Sequence, residues 1–253
     1  MIEFRNTSRI QLSKQLLERL AVECAAHLKH EVKFQIIDIN PAIGSDLGAI
    51  NTTNMHAPII MLGSNCPEAT LIHEIQHFIL KTVDLPTIKG RNLSTNSRFQ
   101  QTYEYLMNRN HAILRSTMEH HRVFPMMEKY DFDRDKYFRE KLKQDDKVIE
   151  NINKNSRNEE RILNQHQIII TSQDHNYYPT DIKVYLRNKI YKYFPDSKSH
   201  IETLDGYIAT NDLFDNTIYK ILFEKTLSSC TAHGTQAGLG FEYLSVYGSF
   251  YMS

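Results

Sequence analysis

Residues 57–80 read APIIMLGSNCPEATLIHEIQHFIL, and their order of patterns decides the fold of the first half of the chain. Ala57 to Leu62 is a short apolar run with two β-branched residues, the signature of a buried strand. Gly63-Ser64-Asn65-Cys66-Pro67-Glu68 stops it and starts a helix: Asn65 is a capping residue, Pro67 suits the first turn, and Glu68 stands at capping-box spacing. The helix is predicted to run from about Cys66 to Val83, closed by Asp84-Leu85-Pro86. In its middle stand His73, Glu74 and His77. Two histidines four residues apart leave the same helical face with β carbons about 6 Å apart, so both imidazoles can converge on one ion. Glu74 is rotated off the pair, within reach of a water at that ion.

Outward from this stretch, Leu12, Leu16, Leu17, Leu20, Ala21, Cys24 and Leu28 recur at helical steps, which predicts a first helix within Ser8 to Lys29. Val32 to Ile39 is β-branched and ends at Asn40-Pro41, and Gly48 to Thr53 reads as a second extended stretch. Downstream, Lys89 to Ser97 reads as a polar loop, followed by a long helix from about Ser97 to Phe124. Beyond Pro125 the pattern stays helical at 133–150, 158–172, 180–193 and 216–230, and the tail from His233 to Tyr247 reads as extended. The expected fold is therefore α+β and predominantly helical. A small sheet packs on the metal-bearing helix in the first half, and the second half is helical. The division expected is a catalytic region over 1–150 and a helical region over 151–253 packed on it, with Asn151 to Asn158 as the most polar hinge.

Bulk properties narrow the function. The 253 residues can bury a substantial core, and 30 basic residues balance 30 acidic ones, so no global field gathers nucleic acid or an anionic membrane surface. The three cysteines, Cys24, Cys66 and Cys230, are far apart and not in C-x-x-C spacing, which fits reduced thiols. The opening residues carry no signal-peptide pattern, and no run of eighteen apolar residues occurs. The expectation is a cytoplasmic protein, or one exported by a signal-peptide-independent route.

Strand, helix and His73-Glu74-Ile75-Gln76-His77 together resemble zincin metallopeptidases over roughly residues 1 to 125. The resemblance implies a Zn2+ ion on His73 and His77, with Glu74 as general base taking the proton of an acidified water and passing it to the leaving amine. It also implies that an edge strand within Gly48 to Leu62 binds substrate backbone. A catalytic zinc takes three protein ligands, and gluzincins draw the third, a glutamate, from a downstream helix. That implies Glu119 in Thr117-Met118-Glu119-His120-His121-Arg122. The helical wheel favours His121 instead, and His120 is a further alternative as ligand or oxyanion donor; Glu104 and His111 are more distant candidates, and Tyr103 and His233 further oxyanion donors. The function this resemblance implies is zinc-dependent peptide hydrolysis, with a protein or peptide as the substrate partner. The competing reading is a non-catalytic helical interaction or regulatory protein with a structural metal or none.

Overall fold

A computed structural model of the chain describes residues 1–39, 48–82, 87–92, 100–155, 158–236 and 243–248. Their order is β1 (Ile2–Asn6), α1 (Lys14–His27), β2 (Val32–Asp38), β3 (Gly48–Asn51), β4 (Ile59–Leu62), α2 (Pro67–Thr82), β5 (Thr87–Asn92) and α3 (Gln100–Met127). There follow α4 (Arg134–Asn155), α5 (Asn158–Thr171), α6 (Thr180–Tyr193), α7 (Lys198–Thr210), α8 (Asn216–Gln236) and β6 (Tyr243–Gly248), with 3-10 turns at Ser172–Tyr177 and Pro195–Ser197. The protein is α+β and predominantly helical. Among the described residues no helix is long and apolar enough to cross a membrane. Two compact units are formed, Met1–Leu85 with Val123–Glu140, and Pro86–Arg122 with Lys141–Ser253. They are not successive halves of the chain, because α3 and α4 each begin in one unit and end in the other.

The first unit is built on the sheet β1-β2-β4-β3, in which β1, β2 and β4 are parallel and β3 runs antiparallel to β4. Alternation along β2 buries Val32, Phe34 and Ile36 and exposes Lys33 and Gln35, so the sheet has one apolar face. Helices α1 and α2 share that face and touch each other. Phe34 stacks on Phe4 at 4.8 Å and meets Phe78 of α2 edge-on at 5.0 Å, joining two strands and a helix through one ring. β1 has no counterpart among the expected strands: Ile2 and Phe4 alternate with Glu3 and Arg5, too short a pattern to stand out before its pairing with Val32–Ile36 is seen. β4, the strand that leads into α2, is flanked by β2 and β3. The edge position expected within Gly48 to Leu62 therefore falls to β3.

In the second unit, β5 and β6 pair antiparallel from Thr87–Gly248 to Asn92–Tyr243. This corrects the polar loop expected from Lys89, whose remaining residues 93–97 lie outside the described ones, as do Asp84-Leu85-Pro86 and the centre of the expected hinge at 156–157. The pairing supplies what local composition lacks. Helix α7 agrees with the helical pattern beyond Pro125 but lies outside the segments singled out there: it buries only Ile201 and Leu204, too thin a stripe to announce itself. Asp145 and Asp146 also depart from the solvated mixed-charge face that α4 suggests. Tyr178 donates to Asp145 at 2.8 Å, and Lys189 pairs with Asp146 at 2.5 Å and Glu150 at 2.9 Å.

Three helices of this unit meet at histidines: the His233 ring lies 5.3 Å from His166 and 5.8 Å from His200, edge to face. Burial, then the repulsion of its neighbours, holds His166 well below the usual 6.5, and burial with His200 holds His233 down at about 4. These groups fold neutral, whereas the unfolded chain takes up their protons first as the pH falls. Their contribution to stability is therefore complete above about 6.5 and is lost towards pH 4. Denaturant midpoints should fall between pH 7 and pH 4.5, and fall less steeply in a His166→Gln, His233→Gln double variant; equal slopes would acquit the histidines.

At Gly48 the sheet comes close to a helix in the first unit. A β carbon there would collide with Thr70 of α2 and stand 2.7 Å from the Met61 carbonyl oxygen. Gly48→Ala should cost about 1–3 kcal/mol, the usual range for overpacking, seen as a lower urea midpoint. An unchanged midpoint would refute this packing.

Candidate metal centre

Helix α2 begins at a strained corner. Cys66 precedes Pro67 with φ at 51°, a left-handed conformation that is uncommon for a residue with a side chain. The Thr70 amide closes the first turn on the Cys66 carbonyl at 2.9 Å. Glu68, expected to cap its own helix, instead accepts the Ser13 amide at 2.9 Å, at the start of α1. Gln76, fully buried, donates to Glu23 of α1 at 3.0 Å, and Glu23 also takes Lys129 and Tyr130. Burial alone would raise the Glu23 carboxyl, but these donors together hold it below its usual range. Gln76 lies between the two histidines in sequence, so this bond fixes the rotation of the turn that presents them.

That turn brings the His73 and His77 rings to 4.6 Å, with their Nε2 atoms 3.1 Å apart. Both are buried, and His73 is walled by Phe124 at 5.7 Å and Tyr137 at 6.1 Å. An ion about 2.0–2.1 Å from each nitrogen subtends an edge of about 3.3 Å in a tetrahedron, close to the separation found. Four residues before Phe124, on the same unbroken helix α3, stands His120. The ligand atoms of His73, His77 and His120 all lie within 4.8 Å of one another, and the three side chains are buried. Three buried histidines thus lie close enough to bind a metal ion. Neutral imidazole is a donor suited to a divalent transition metal. Glu74, half-buried, follows His73 directly.

The run Glu119-His120-His121 is divided among different partners. Glu119 Oε1 accepts from Arg115 Nε at 3.1 Å, one turn back. His120 Nδ1 meets Asp174 Oδ2 at 2.7 Å. His121 Nδ1 meets the Tyr177 hydroxyl at 2.9 Å, and burial lowers its pKa to about 4. The histidine triad contains His120. Asp174 itself is buried, and burial raises its carboxyl to about 7.

Asp174 is not singled out by the sequence reading. Its signal was a carboxylate four residues after Ile168-Ile169-Ile170, where the chain is heading into a core. Of the remaining candidates, His111 is half-buried with its pKa lowered by burial, and His233 packs with His166 and His200 as above. The side chains of Tyr103 and Glu104 lie outside the described residues.

Compared with known proteins, the chain matches no protein family, no curated protein and no solved structure. The chemistry of the site therefore rests on its own geometry. Protein stripped with chelator and reloaded should hold about one divalent ion per chain. His120→Ala should weaken that binding by more than about 100-fold, beyond the usual loss of an outer partner. Glu119→Gln should leave it within a few-fold; the opposite ranking would move the third donor to Glu119.

Proposed function

We propose that the protein is a zinc-dependent peptidase of the zincin type, with His73, His77 and His120 as metal ligands and Glu74 as general base. The observation that carries this reading is the pair of facing Nε2 atoms, 3.1 Å apart, on the helical turn that also carries a glutamate. Three imidazoles suit zinc, which favours nitrogen donors in fourfold sites with one position left to solvent or substrate. When bound, the ion supplies Lewis acidity towards a water and a substrate carbonyl.

The chain's own residues supply the rest. Glu74 accepts the proton of the attacking water and delivers it to the departing amine nitrogen, a shuttle that a purely structural site would not need. His73 and His77 would offer ring nitrogens to the ion, His73 being held by the packing of Phe124 and Tyr137 against it. β3, the antiparallel edge of the sheet, is the strand on which an extended peptide would pair through backbone hydrogen bonds. A protein or peptide is the substrate class this edge would accept.

Glu74→Gln separates the reading from a non-catalytic metal site. The amide keeps the size of the side chain but cannot take a proton, so hydrolysis should fall by about 10²–10⁴-fold while metal content is unchanged. Terminal-peptide profiling of cells expressing either form supplies the readout without a prior choice of substrate. New termini present with the wild type and missing with the variant are expected; identical profiles would overturn the assignment.

A further inference from the structure

His120 and His121 are consecutive on α3, and both are gripped by one short segment, the 3-10 turn Ser172–Tyr177. Asp174 takes His120, 54 residues earlier in the chain, and Tyr177 takes His121, 56 residues earlier. Side chains three apart on a 3-10 turn are eclipsed, so Asp174 and Tyr177 leave the turn on the same side. The helix needs such a grip at this point. Pro125 lies within α3 and has no N–H, so the His121 carbonyl loses its ordinary partner four residues on. The Tyr177 hydroxyl approaches that same carbonyl at 3.4 Å.

The turn is itself braced. Ser172 Oγ donates to the Ile169 carbonyl at 2.9 Å, and Arg187 Nη2 donates to the Ser172 carbonyl and to Asp205 Oδ1, both at 2.8 Å. Asn176 Nδ2 donates to the same Asp205 oxygen at 2.8 Å, and Asn176 Oδ1 accepts from Lys183 Nζ at 2.7 Å. On the other side of Asp174, His175 lies 3.6 Å from Asp145.

We propose that Asp174 is a positioning residue for the metal centre: its carboxylate accepts the Nδ1 proton of His120, so that Nε2 carries the lone pair offered to the ion. This deepens the peptidase reading and rests on His120 being a ligand. A neutral imidazole has one protonated and one bare nitrogen, and its partner decides which is which. Where Asp174 is ionised, a carboxylate 2.7 Å from Nδ1 can only accept there, and Nε2 is then the unprotonated nitrogen. Asp174 acts through His120 and does not touch the ion. His121 Nδ1 meets the Tyr177 hydroxyl and Glu119 accepts from Arg115, so the three adjacent residues have different partners, and only the partner of His120 bears on the ion.

The test measures Zn2+ affinity by competition with a chromophoric chelator, together with the ¹⁵N shifts of His120 in histidine-labelled protein. The wild type should bind Zn2+ with His120 protonated at Nδ1. Asp174→Ala should bind about 10–100-fold more weakly and, without metal, show both tautomers of His120. Asp174→Asn keeps the volume and should fold as the wild type does. Its amide can present either oxygen or nitrogen to Nδ1, so an intermediate loss is expected. Asp174→Glu should recover part of the affinity. Tyr177→Phe is the control for damage to the turn and should remain within about threefold of the wild type. Wild-type affinity in folded Asp174→Asn and Asp174→Ala, or equal losses in Tyr177→Phe, would overturn the positioning role and leave the peptidase reading standing. A wild-type protein that binds no Zn2+ would overturn both.

Discussion

Two imidazole nitrogens facing each other at 3.1 Å inside a buried helix are the constraint around which the first unit is organised. A helix that carries polar rings on one side and Phe78, Ile75 and Leu71 on the other cannot leave either side in water without cost. α2 is accordingly buried along both, from Ala69 to Leu80 with only Glu74 less enclosed. The sheet covers the apolar side through Phe34, and Phe124 and Tyr137 wall His73. The least buried residue of the stretch is Glu74, the carboxylate that the proposed chemistry needs to meet a water.

The features legible in the sequence were those written by local periodicity. Helix α2 was expected over Cys66 to Val83 and spans Pro67–Thr82; β2 and α6 fall nearly where their patterns place them. Features decided by distant partners were not legible. β5 reads as polar loop until Tyr243–Gly248 pairs with it, and β1 is five residues whose pairing begins thirty residues later. Glu68 shows the same limit at one residue: its spacing fits a cap for α2, but the amide it accepts from is that of Ser13, brought in by the fold.

The third histidine of the cluster was obscured for a related reason. A helical wheel sorts residues by assuming that one face meets solvent, and in α3 every residue from Thr117 to Phe124 is buried. With no wet face, Glu119, His120 and His121 are equally plausible by rotation, and only their partners tell them apart. Those partners are Arg115 on the same helix and Asp174 and Tyr177 on a turn more than fifty residues away. The sequence does contain the carboxylate, but nothing local joins it to His120.

That placement of the carboxylate bears on the chemistry proposed. Two histidines and a glutamate around a divalent ion leave one net positive charge; so do three neutral histidines with an aspartate hydrogen-bonded to one of them. The two arrangements differ in where the negative charge sits. As a direct ligand it is shared with the ion and dampens its pull on a water or a carbonyl. Held behind His120, it makes the imidazole a stronger donor while leaving the ion itself coordinated only by neutral nitrogen. It also compensates the charge of the ion in a buried site, where an uncompensated cation would be costly. An ion more acidic towards water would ask less of Glu74 as a base, and Asp174 lets the site reach that condition without burying an isolated charge.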